Sequence, residues 1–131
     1  MPGVFSRIIA GELPARFVWQ DPVCVAFLST SPLKPGHTLV VPRKEVDDWL
    51  DLDDATRSHL FTVARTLGLA IRRAFKPLKV GVMIAGLEVR HVHIHLVPID
   101  AVGDLDFAKQ DRNPSPAALD AAAESIRRAL A

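Results

Sequence analysis

His91-Val92-His93-Ile94-His95-Leu96-Val97-Pro98 holds three of the five histidines of this chain. Alternation of imidazoles with β-branched or aliphatic residues is the pattern of a half-buried strand, predicted here over Val89 to Val97. Alternate side chains leave opposite faces of a strand. Val92, Ile94 and Leu96 are therefore expected in a core, with the three imidazoles together on the other face. Twice the strand rise puts successive imidazoles roughly 6.5–7 Å apart. An imidazole can be nucleophile, acid, base or metal ligand near neutral pH, and packing alone seldom lines up three. The stretch marks a site.

Outward from it, Ala85-Gly86 reads as a turn and Lys79 to Ile84 as the preceding strand. A long helix is predicted from Asp53 or Asp54, either a good N-cap, to Phe75. Leu60, Val63, Ala64, Leu67, Ile71 and Ala74 form its apolar stripe, and Pro77 stops it. Earlier still come a short helical stretch over Val4 to Ala10 and strands over Arg16 to Gln20 and Val23 to Leu28. A proline-bounded loop leads to a strand over His37 to Pro42, with His37, Leu39 and Val41 on one face. After the histidines, Ser115 and Pro116 signal a second main helix that buries Leu119, Ala122, Ala123, Ile126 and Leu130. This order predicts one α+β domain over residues 1–131, with a five-stranded, mainly antiparallel sheet and two main helices.

Composition narrows the function. The 131 residues carry 16 basic and 15 acidic side chains, a formal net charge of +1, with no basic run to hold a polynucleotide. No apolar run spans a membrane, and no signal peptide is apparent, so a cytoplasmic protein is expected. Cys24 is the only cysteine, which excludes an internal disulfide and Cys-rich metal sites; its apolar strand suggests inert core. His59, on the long helix, reads as a boundary residue.

The histidines admit three readings. A neutral imidazole can attack phosphorus, giving a phosphorus–nitrogen bond that water later breaks, provided that neighbours fix its tautomer and balance charge. Alternatively, His-x-His aims two nitrogens at one point, and a third completes a catalytic zinc site. The last reading is structural, the rings satisfying hydrogen bonds under a loop. Residue chemistry leaves the nucleophile and metal readings open.

Ala85-Gly86 followed by His91-x-His93-x-His95 resembles the signature of the histidine triad family of nucleotide-binding hydrolases and transferases. Phe5-Ser6-Arg7-Ile8-Ile9-Ala10-Gly11-Glu12-Leu13-Pro14-Ala15 and Pro32-Leu33-Lys34-Pro35-Gly36-His37-Thr38-Leu39-Val40-Val41-Pro42 are similar to segments of its nucleoside phosphoramidase branch. The resemblance covers residues 4 to about 98 and leaves 99–131 unaddressed. It implies a histidine triad domain that hydrolyses a phosphoramidate or phosphoanhydride at the nucleotide α-phosphate, needing no metal or other cofactor. His93 matches the nucleophile, His95 and His37 the groups that position phosphate, and His91 the first triad member. Phe5, Ile8, Phe27 and Leu28 match apolar positions of the base pocket. The resemblance also implies a homodimer joined through the long helix and a strand edge.

The chain departs from that pattern in the nucleotide pocket. Ser29 stands where an acidic or amide side chain usually holds the ribose. Val80 replaces an Asn, Leu87 a Gln, and Glu88 a small hydroxyl residue. An ionised Glu88 repels phosphate; a buried one offers a proton. Two alternatives to the hydrolase are a metal-dependent hydrolase that uses the histidine cluster and a non-catalytic nucleotide-binding module. Base, leaving group, pathway and the role of the C-terminal helix are not legible in the sequence.

Overall fold

The structure, a computed structural model, describes residues 2–131. Five strands form one antiparallel sheet: β1 (Phe17–Gln20), β2 (Cys24–Leu28), β3 (Thr38–Pro42), β4 (Lys79–Met83) and β5 (Ile94–Ile99). They lie in the order β1-β2-β3-β5-β4. The helices are α1 (Val4–Ile9), α2 (Asp54–Phe75) and α3 (Pro116–Leu130), so the α+β expectation holds.

The apolar run of β2 explains how the layers are arranged. Period-2 alternation sends Cys24, Ala26 and Leu28 to one face and Val25 and Phe27 to the other. The first set joins Val40, Ile94 and Leu96 beneath α2 and α3. The second joins Leu39, Val41 and Phe5, with Ile8 and Ile9 packed alongside, beneath α1. Removing a Leu or Ile from water stabilises the fold by roughly 1.5–3 kcal/mol. Leu60, Leu67, Ile71 and Ile126 are buried completely or nearly so and are the main anchors of the helix layer.

Local signals set the helix ends. Asp53 accepts the Thr56 N–H at 2.7 Å, opening α2. Lys76 closes it in the left-handed region at φ 52°, its N–H on the Arg72 carbonyl, immediately before Pro77. Ser115 accepts the Ala118 N–H at 3.0 Å to open α3, with Pro116 in first position. Ala70 rather than Ala74 completes the buried stripe of α2.

The histidine strand is shorter than predicted. β5 begins only at Ile94, and His91, Val92 and His93 form an irregular lead-in. The partners run out there. β4 ends at Met83, opposite His95. On the other side Pro42 has no N–H to give, and its carbonyl is taken by the His91 side chain. Val92 N–H goes instead to the Val46 carbonyl at 2.7 Å. Val92, Ile94 and Leu96 are nevertheless all buried, as the alternation required. Among the described residues no helix is long and apolar enough to cross a membrane.

Candidate active site

The four histidines of the motifs meet at one place. The rings of His93 and His95 have centroids 4.6 Å apart, closer than the strand rise predicts because His93 lies off the ladder; those of His37 and His95 are 5.1 Å apart. His37 is brought in by Gly36, whose φ of 97° suits glycine. A Cβ there would lie 2.6 Å from the Phe75 ring.

Backbone groups fix the protonation of three of the rings, and His37 fixes that of His95. Leu33 N–H donates to His37 Nδ1 at 2.9 Å, so that nitrogen carries no proton. The proton of a neutral His37 is then on Nε2, which donates to His95 Nδ1 at 2.9 Å. His95 is left with its proton on Nε2. His93 Nδ1–H donates to the His91 carbonyl at 2.7 Å, leaving a lone pair on Nε2. His91 Nε2–H donates to the Pro42 carbonyl at 2.7 Å. His91 Nδ1 is the only side-chain nitrogen or oxygen among the described residues that is both buried and unpartnered.

Burial keeps the rings neutral. It pushes His37 down to about 4, helped by His93, and His95 down to about 3, helped by His93 and His37. His91 and His93 are also lowered, chiefly by burial. At neutral pH the site thus presents one nucleophilic nitrogen, His93 Nε2, beside one donor, His95 Nε2–H.

Some sequence-selected residues stand around this pair and others do not. Phe5 packs against His91 and His93 at centroid distances of 5.7 and 5.0 Å and edge-on to Phe27 at 5.4 Å. Ile8 packs against the same cluster. Leu28 does not join them: the alternation along β2 places it in the helix-side core. Ser29 is buried and its Oγ accepts the Ser31 N–H at 3.2 Å. Leu87 is 82% exposed and Glu88 also faces solvent, beyond the turn at Gly86 (φ 74°). Glu88 is therefore not a buried acid. Leu87 borders a cavity of about 300 Å³ with Asp47, Asp48, Trp49 and Leu50, a lining that includes none of the histidines.

The sequence reading missed two contacts. Phe107 packs against His95 at 5.2 Å, from a region with no local motif. His59 Nε2–H donates to Asp21 Oδ2 at 2.7 Å, as does Trp19 Nε1–H at 2.7 Å. Asp21 Oδ1 accepts the N–H groups of Val23 and Cys24 at 2.8 Å each. Burial opposes ionisation of Asp21, but these donors outweigh it and hold the carboxyl well below the usual range. Asp21, Cys24 and His59 are also the one trio of metal-type donors drawn together among the described residues. They fit a metal poorly. Asp21 Oδ1 already holds two donors and Oδ2 three, the Cys24 thiol among them at 3.6 Å, and burial and Asp21 push that thiol up to about 12.

The HIT domain model matches residues 10–102, and the chain belongs to this family. It is 34% identical over 102 residues to an uncharacterized HIT-like protein of Borreliella burgdorferi, covering 72% of this chain and 73% of that one. A zinc-bound histidine triad family protein from Mycobacterium smegmatis superposes with a TM-score of 0.84 at 26% identity, covering 99% of this chain and 94% of the other. A hypothetical histidine triad nucleotide-binding protein from Sulfolobus tokodaii gives 0.81 at 27% identity, covering 96% and 90%. The first of these superpositions takes in the C-terminal region beyond the family match.

Proposed function

We propose that this protein is a nucleotide-binding hydrolase or transferase that cleaves a phosphoramidate or phosphoanhydride at the nucleotide α-phosphate, through a nucleotidyl-His93 intermediate. The tautomer of His93 carries the reading. With Nδ1–H tied to the His91 carbonyl, the Nε2 lone pair is free to attack, and burial keeps the ring neutral. A phosphorus–Nε2 bond forms as the bond to the leaving group breaks; the leaving group departs with the electron pair and takes up a proton from solvent. Water then attacks phosphorus, the phosphorus–Nε2 bond breaks, and the proton that water releases balances the first. His95 Nε2–H donates to a phosphate oxygen, and His37 holds His95 in that tautomer. Phe5, Phe27 and Ile8 offer an apolar wall for a base, and the family and the name of the Sulfolobus relative support a nucleotide.

The metal-dependent reading has less support, since His91 Nε2 and His93 Nδ1 turn to backbone carbonyls rather than to a common point. Incubation with adenosine 5′-phosphoramidate, followed by mass spectrometry of the intact protein, tests the proposal. An adenylyl adduct on His93 is expected, with its loss in His93→Ala. Tight AMP binding without adduct or turnover would establish the binding-module reading instead. A stoichiometric metal whose removal stops turnover would establish the metal reading.

A homodimer in the cytoplasm accompanies this reading. Edge strand β4 exposes Val82, and Leu78 beside it is 76% exposed; pairing two such edges would cover both. Light scattering after size exclusion should give twice the chain mass at micromolar concentration.

A further inference from the structure

Most of the segment from Asp100 to Asp111 lies beyond the family match at residue 102, yet it is fastened at both ends. Asp104 Oδ2 accepts the N–H groups of Asp100 and Ala101 at 2.8 and 3.1 Å, and Lys34 Nζ stands 4.0 Å from it. Leu105 is seated over Gly81 of β4, where an added Cβ would come within 3.2 Å of Leu105 and 3.0 Å of Ile99. At the far end Asp111 N–H donates to the Pro32 carbonyl and Gln110 Nε2–H to the Ser31 carbonyl, both at 2.9 Å. The segment is thus a strap from β4 to the proline loop. Between its anchors, the short 3-10 turn Phe107–Lys109 sets Phe107 against His95, ring planes 66° apart. Phe5 covers the His91 and His93 end of the row. Aromatic rings therefore close both ends of the row.

We infer that Phe107 is a positioning residue for His95 and the wall that limits the leaving group, a role that rests on the reading of His93 and His95 given above. An edge-on aromatic contact of this kind restricts the rotation of the ring it meets, which helps to hold the His95 ring in its bond with His37. With the base on the Phe5 side of the row, the other substituent on phosphorus falls on the Phe107 side. A flat amine lies against that ring; a branched one meets it. Around His95 the titratable groups are His93 and His37, with Asp104, Asp106 and Lys109 on the strap. Asp104 faces Lys34, and Asp106 accepts the Ala108 N–H. Replacing Phe107 consequently changes the burial of His95 rather than the charge around it.

The test takes full-length Phe107→Ala, Phe107→Tyr and Gly81→Ala proteins. NMR titration of the imidazoles reads the His95 pKa, and steady-state kinetics compares nucleoside phosphoramidates with a flat aromatic and a branched alkyl amine. Phe107→Ala should raise the His95 pKa toward its ordinary value and narrow the preference for the flat amine. Its kcat on the flat substrate should fall about tenfold with less change in KM, short of the hundredfold that a misplacement of about 1 Å can cost. Phe107→Tyr should restore all three. Gly81→Ala, which displaces Leu105 without touching the row, should move them the same way by less. An unchanged His95 pKa and unchanged amine preference in folded Phe107→Ala would overturn the inference. A wild-type protein without turnover would count against the proposed function, while the pKa shift would still decide the positioning role.

Discussion

Two knots of polar side chains, one buried and one partly buried, sit on opposite faces of the sheet, one chain position apart at the end of β3: Pro42 O accepts from His91, and Arg43 Nε donates to the Asp21 carbonyl. Around Asp21, on the helix side, both carboxylate oxygens are saturated by Trp19, His59 and two backbone N–H groups. Around the histidines, the backbone uses one nitrogen of each of His37, His91 and His93, and His37 then occupies His95 Nδ1. That leaves His93 Nε2 and His95 Nε2 unspent, along with the fully buried His91 Nδ1. A buried polar group with every bond made holds a fold together. One held in place with a valence unspent is poised to act on something else.

The largest expected effect tests the unspent nitrogen. His93→Ala should remove the covalent adduct and lower turnover by roughly 10⁴-fold or more, with the fold intact by circular dichroism. His95→Ala and His37→Ala should slow turnover by about 10²–10³-fold while single-turnover experiments still show slow adduct formation. Near-normal activity in His93→Ala would break the comparison at its centre.

Asp21→Ala should do the reverse. It strands several donors, so denaturant unfolding should show a loss of about 2–4 kcal/mol, with turnover of the remaining folded protein within about twofold.

Acid sharpens the contrast further. His37 and His95 ionise near 6.5 in the unfolded chain but near 4 and 3 when folded, so the unfolded chain binds protons first. Their contribution to stability is whole above pH 6.5 and drains away as pH falls toward 3. His37→Gln should flatten the stability curve between pH 6.5 and 4, whereas Asp21→Asn should leave its slope above about pH 5 unchanged, because Asp21 ionises near 3.8 in the unfolded chain and lower still in the fold. The smallest effect belongs to Leu87, 82% exposed: Leu87→Ala should alter stability by less than about 0.5 kcal/mol.

Local patterns made much of this protein legible in advance. Capping residues and proline set the ends of α2 and α3, and period-2 alternation placed Val92, Ile94 and Leu96 in the core. Motif order also pointed to the family that the comparisons then gave. Leu28 was misread because an apolar residue next to Phe27 looks like a pocket neighbour until the pleat turns it to the other face. Glu88 was left open because exposure is not written in its neighbours.

The sequence by itself determined which elements form and singled out the four histidines that meet, since both readings depend on spacing along one chain. Only the tertiary structure decided the state of each imidazole. The groups that set it, Leu33 N–H and the Pro42 and His91 carbonyls, act through hydrogen bonds with no local periodicity. Their partners are fixed by where the sheet stops pairing at Pro42.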